Sequence, residues 1–268
     1  MKRKAAVAGQ FYPGRSDELR RMLGKMVDPK ARKEKALAVV SPHAGFVYSG
    51  PVAGAVFSSV ELPDTFVILG PSHRPIRSLF ALMNEGEWET PMGTIGIASG
   101  LASAIQSAVK SAKTDAAAHA AEHSLEVQLP FIQFFKTDFE IVPIAISYLA
   151  PFAELEELGA AVAEAIRFQE KDVLIIASTD MSHYVSRDEA WRKDDLAIQK
   201  ILALDPRGLF DIVSAEEISM CGFQPVTAAL VAAKALGARR AELIRYATSG
   251  DVTGDDRQVV GYAGLRVL

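Results

Sequence analysis

Apolar positions fall along the chain in two alternating styles. Short unbroken runs, Leu37-Ala-Val-Val40, Phe66-Val-Ile-Leu69, Ile141-Val-Pro-Ile-Ala-Ile146 and Val173-Leu-Ile-Ile-Ala177, have the form of strands buried on both faces. Between them the spacing predicts helices over 16–27, 100–112, 122–136, 152–168 and 188–203, and a further helix over 226–236. Strands and helices in alternation predict an α/β fold with a mostly parallel or mixed central sheet flanked by helices. Near the C-terminus the style changes. Glu242-Leu-Ile-Arg-Tyr-Ala-Thr248 and Val259-Val-Gly-Tyr-Ala-Gly-Leu-Arg-Val267 flank a turn-rich segment, a pattern for a terminal hairpin or two edge strands. No linker, repeat or shift in composition divides the chain, so a single domain over 1–268 is expected.

Composition narrows the function. The 268 residues carry 29 Lys+Arg against 33 Asp+Glu, a net charge of −4 with no basic field for a phosphate backbone, so no nucleic acid partner is expected. The uncharged stretch 36–60 is long enough to span a membrane, but His43, Pro42, Pro51 and several Gly and Ser interrupt it. It reads as a buried strand, a functional loop and the start of a packed helix, with no membrane association. The basic start of the chain leads into an apolar run too short for a signal sequence, so a cytoplasmic location is expected. The single Cys excludes an intramolecular disulfide and points to a reducing compartment.

Histidine placement carries the chemistry. Of five His, three follow a buried-strand candidate within a few residues: His43 in Ser-Pro-His-Ala-Gly, His73 in Gly-Pro-Ser-His-Arg, and His183 in Ser-Thr-Asp-Met-Ser-His-Tyr. In open α/β sheets, ligands bind beyond the carboxyl ends of the strands. Each His alone reads as a loop residue capping local backbone; three in one structural position open the alternative of a shared metal or catalytic site. Cys221 stands just before the helix over 226–236, where a helix N-terminus lowers a thiol pKa; the plain alternative is a small buried apolar residue. His119-Ala-Ala-Glu-His123 matches one zinc-protease pattern, with two His expected on one helical face and zinc between them. The plainer reading makes His123 a pocket residue and leaves His119 solvated at the helix start. Phosphate-binding loops, a dinucleotide fingerprint, paired Cys-x-x-Cys and a serine-hydrolase elbow are all absent from the sequence.

Seven motifs in order, Gly9-Gln-Phe-Tyr-Pro13, Ser41-Pro-His-Ala-Gly-Phe-Val-Tyr-Ser-Gly50, Gly70-Pro-Ser-His73, Glu89-Thr-Pro-Met-Gly93, Glu122-His-Ser-Leu-Glu-Val-Gln-Leu-Pro130, Ser178-Thr-Asp-Met-Ser-His183 and Met220-Cys-Gly222, resemble the Memo family, also called AmmeMemoRadiSam system protein B. The resemblance spans nearly the whole chain. It implies a fold similar to the class III extradiol (LigB-type) non-haem iron dioxygenases, in which two His and a Glu hold iron and another His serves as acid/base. Carried over, it implies His43 and His73 as metal ligands, Cys221 in place of the carboxylate, His183 as acid/base, His123 as a pocket His and Asp180 as an orienting group. Thiolate ligation favours Fe, Cu or Zn over ions that prefer hard oxygen ligands.

The expectation is therefore a metal-dependent redox protein using Fe(II) or Cu, with Zn as a further option, and with Phe11, Tyr48 and Tyr184 around the mouth. The resemblance also implies a radical-SAM protein and a partner domain as associates. The alternative is a non-catalytic scaffold holding a peptide or small anion in the same pocket through Arg74 and Arg187, whose guanidinium forks suit phosphate or carboxylate.

Overall fold

The computed structural model describes residues 1–169 and 171–268. In chain order it begins with β1 (Lys2–Arg3), α1 (Ser16–Leu23), β2 (Ala38–Ser41), α2 (Phe46–Ser58) and β3 (Thr65–Pro71). There follow β4 (Phe80–Leu82), β5 (Glu87–Thr90), β6 (Gly93–Ile97), α3 (Ser99–Ala108), β7 (Ala112–Thr114) and α4 (Ala116–His119). A 3-10 turn (Glu126–Gln128) leads into α5 (Leu129–Phe135), β8 (Glu140–Ile146), α6 (Phe152–Arg167) and β9 (Val173–Ser178). The chain closes with β10 (His183–Val185), α7 (Arg187–Leu202), α8 (Pro206–Ala215), α9 (Phe223–Ala235), β11 (Ala241–Thr248), α10 (Gly250–Thr253) and β12 (Val259–Val267).

The four apolar runs form the middle of one 12-stranded mixed sheet, in the order β8-β3-β9-β2 and all parallel. Phe66, Val67, Ile68 and Leu69 of β3 are fully buried, as are Leu174, Ile175, Ile176 and Ala177 of β9. Helix α9 packs on β9, β3 and β2 and is backed by α6, while α2 packs on β2 and β12 and meets α5. Helices cover the strands on both faces, which is why their sequences are continuous apolar runs rather than alternating ones. Because β9 lies between β2 and β3, consecutive loops leave neighbouring strand ends at the same edge of the sheet.

Two expectations change. The C-terminal strands β11 and β12 do pair antiparallel, but β12 also pairs with β2 and β10, so it lies inside the sheet rather than at its edge. The helix expected over 122–136 begins late: residues 120–125 form a turn after the short α4, and α5 starts only after the 3-10 turn, at Leu129. Among the described residues no helix is long and apolar enough to cross a membrane.

Candidate metal centre

The loops leaving β2 and β3 carry His43 and His73 to the same place, with ring centroids 5.2 Å apart. His123 joins them from the turn after α4, stacked on His73 at 4.3 Å and set edge-on to His43 at 5.5 Å. One ring nitrogen from each of the three falls within 4.8 Å of the others, close enough to share an ion. Phe11 caps the group, its ring 4.7 Å from that of His123. Cys221, delivered by the turn before α9, places Sγ 3.2 Å from His43 Nε2.

Two of the three imidazoles, His43 and His73, are hydrogen-bonded through Nδ1, whereas His123 Nδ1 lies 3.7 Å from Glu122. Glu122 accepts hydrogen bonds from the His73 backbone N–H at 2.7 Å, from His73 Nδ1 at 2.9 Å and from the Ser124 N–H at 2.8 Å. A carboxylate can only accept, so His73 carries its proton on Nδ1 and offers Nε2. Burial pushes the Glu122 carboxyl up, but the hydrogen bond and charge of His73 outweigh it and bring the pKa down to about 2. Burial, with the charge of His73 next, lowers His123 to about 4 and holds His43 well below the usual imidazole range. At neutral pH these two rings are therefore uncharged, the form in which a His ligates a metal.

Asp180, at the end of β9, accepts the His43 backbone N–H at 2.8 Å, and its own N–H donates to Cys221 Sγ at 3.3 Å. Burial raises the Asp180 carboxyl to about 6, against the hydrogen bonds from the His43 and Ala44 backbone that lower it. The Cys221 thiol moves the opposite way from the expectation of a helix-lowered pKa. Burial first, and the neighbouring Asp180 second, push it above its ordinary value. Here desolvation of the thiolate outweighs the helix N-terminus.

The other residues named from sequence separate. His183 is not one of the three clustered imidazoles but lies near enough for its charge to act on His43 and Asp180; its Nδ1 donates to the Ser219 carbonyl at 2.9 Å and its backbone N–H to Ser219 Oγ at 2.7 Å. That leaves its Nε2 free. The adjoining Tyr184 is 73% exposed and sits at φ 58°, a strained conformation for a bulky residue. Tyr48 and Arg74 are exposed near the loops that carry His43 and His73. Arg187 does not fit the anion-holding role, because its guanidinium is already paired at 2.7 Å with each of Asp251 and Asp256.

His119 is a further correction. It is fully buried, T-shaped against Trp88 with centroids 5.6 Å apart, and lies outside the metal-capable group. Since α4 stops at this residue, His119 and His123 do not share a helical face, and the zinc-protease reading fails. Ser178, Gln128 and Ser219, which hold the site from behind, were not singled out from sequence; buried Ser and Gln carry no periodic signal that separates them from ordinary polar positions.

The family model described as Memo-like protein matches residues 3–266. The chain belongs to the Memo family. A MEMO1 family protein of Methanopyrus kandleri is 41% identical, the match covering 99% of this chain and 98% of that one. One from Pyrobaculum arsenaticum is 42% identical over 98% of both chains. Among solved structures, an uncharacterised protein from Escherichia coli K12 superposes with a TM-score of 0.55 at 13% identity, covering 85% of this chain and 99% of that one, which is a likeness of fold. For this Memo family member the expected single α/β domain with a mixed sheet and flanking helices stands.

Proposed function

We propose that this Memo family protein is a metal-dependent redox protein whose ion, Fe(II) or Cu with Zn as a further option, is held by His43 and His73, with His123 and Cys221 as adjoining donors. The observation that carries this reading is the convergence of three imidazole nitrogens within 4.8 Å, with the Cys221 sulfur 3.2 Å from one of them. A nitrogen and sulfur donor set suits iron, copper or zinc and is unsuited to magnesium or calcium. Bound iron or copper would supply electron transfer and polarisation of a substrate oxygen at this position.

The chain's own residues do the rest. Glu122 orients His73 and supplies the negative charge that balances a dication. Cys221 loses its proton only as an ion takes its place, so ion uptake releases a proton and weakens as the pH falls. His183, with Nδ1 committed to Ser219, presents a free Nε2 that can take or give a proton beside the site. Phe11 covers His123 and keeps water from one side of the cluster.

The test is metal content by mass spectrometry on untagged protein purified anaerobically, comparing wild type with His43→Ala, His123→Ala and Cys221→Ser. Near-stoichiometric iron, copper or zinc in the wild type and its loss in His43→Ala is the expected result. Loss in Cys221→Ser with retention in His123→Ala assigns the thiol as third ligand, and the reverse assigns the imidazole. Wild-type protein that takes up no metal even after anaerobic reconstitution sinks the reading.

A further inference from the structure

The geometry points to Gln128 and Ser178 as a hydrogen-bond relay that sets which nitrogen of His43 carries the proton, and so which one faces the site. The functional consequence rests on the metal-binding reading above; the proton position does not. Gln128 and Ser178 are fully buried and His43 is 2% exposed, so every proton in the chain must find a protein partner.

The assignment follows from groups that can only accept. Ser178 Oγ lies 2.7 Å from the Ser124 carbonyl oxygen, which has no proton to give, so the hydroxyl proton points there. Gln128 Nε2 lies 3.0 Å from the Pro42 carbonyl oxygen and 2.9 Å from Ser178 Oγ, and donates to both. The reversed amide would set two oxygens against each other at Pro42. Ser178 Oγ has now spent its one proton and accepts from Gln128. Its remaining contact, His43 Nδ1 at 2.9 Å, has to be a donor.

His43 therefore holds its proton on Nδ1 and presents a bare Nε2 toward Cys221. A neutral imidazole free in water favours the opposite tautomer, so the relay reverses an intrinsic preference. It also differs from the arrangement at His73. There a carboxylate receives Nδ1–H and adds charge; at His43 a hydroxyl receives it and adds none. Two neighbouring imidazoles thus present Nε2 while only one of their two Nδ1 partners is charged. Gln128 and Ser178 are positioning residues: neither touches the place an ion would take.

The first measurement is the ¹⁵N shifts of His43 Nδ1 and Nε2 in the metal-free wild-type protein, which depend on no variant folding. Protonated Nδ1 is expected; protonated Nε2 overturns the proposal. Second, Ser178→Ala should move the proton to Nε2 and weaken Co(II) binding, followed by its visible absorption, by about 10- to 100-fold, the usual range for loss of a group behind a ligand. Gln128→Leu should weaken it less, and the double variant should be no weaker than Ser178→Ala alone, because Gln128 acts through Ser178. Additive losses, or an unmoved tautomer in Ser178→Ala, would refute the relay. A wild-type protein with Nδ1 protonated that takes up no Co(II) upholds the relay and counts against the metal reading, so the two fail separately.

Discussion

Arg3 is the residue whose replacement the structure prices most clearly. Its side chain is 3% exposed and pairs with the fully buried carboxylate of Glu126. Arg3 Nε donates to the His119 carbonyl at 2.9 Å, its second terminal nitrogen to the Glu122 carbonyl at 2.7 Å, and the guanidinium lies 4.2 Å over the Trp88 ring. Glu126 is further bound by the Ala6 N–H at 2.7 Å, the Val7 N–H at 3.1 Å and the Tyr12 hydroxyl at 2.5 Å.

Arg3→Met keeps much of the volume but leaves a buried carboxylate without a counter-charge and two carbonyls without donors. Removing one partner of a buried ion pair costs about 3–5 kcal/mol. At about 2 °C per kcal/mol for a chain of this size, Tm should fall by about 6–10 °C. Glu126→Gln should also destabilise, since Arg3 then stands uncompensated. The double variant should recover about 2 kcal/mol relative to the sum of the singles, because no charge is left unpaired. Thermal unfolding followed by circular dichroism at pH 7 measures all three. A loss below about 1 kcal/mol in Arg3→Met, or strict additivity in the double variant, would refute the reasoning that charge pairing rather than packing dominates here. The same pair ties the N-terminal segment to the turn that carries Glu122 and His123, so metal affinity should drop in Arg3→Met even where the fold survives.

Two further outcomes are expected. Burial, with the positive charge of Arg3 next, lowers His119 from the ordinary imidazole value of about 6.5 to about 4, so the unfolded chain takes up this proton at higher pH than the folded one. Stability should therefore fall as pH drops from about 6.5 to about 4, by roughly 3 kcal/mol from this residue, with His119→Phe flattening the profile; an unchanged profile in a folded His119→Phe protein contradicts the assignment. Gly222 lies so close to β9 that an added Cβ would sit 2.3 Å from the Ser178 carbonyl oxygen and 2.6 Å from Thr179 Cβ. Gly222→Ala should push Cys221 away from His43 and weaken Co(II) or Zn(II) binding at least 10-fold, read by titration, and equal affinity would show that the thiol is not needed there.

Much of this was open to a reader of the sequence. The apolar runs of β3, β8 and β9 announce doubly covered strands, because a strand with helices on both faces has no polar side to display. Alternation with helices then requires crossovers, and crossovers place the loops that follow β2, β3 and β9 at one edge. That is why His43 and His73 were legible as a pair, and the seven motifs named the family. The turn at 120–125 was not legible, since the apolar spacing over 122–136 reads as one helix. What breaks the helix is tertiary: Arg3 takes the carbonyls of His119 and Glu122, and Glu122 turns inward to His73. The same turn swings His123 into the cluster and buries His119. The Cys221 thiol likewise depends on surroundings, as desolvation beside Asp180 overrides the helix end in its own sequence. Sequence determined most of the elements, because they follow from local period and burial. Only the tertiary structure decided which imidazoles cluster and which hydrogen bonds hold them, because these depend on contacts between residues as far apart as Arg3 and Glu122, or His43 and Ser178.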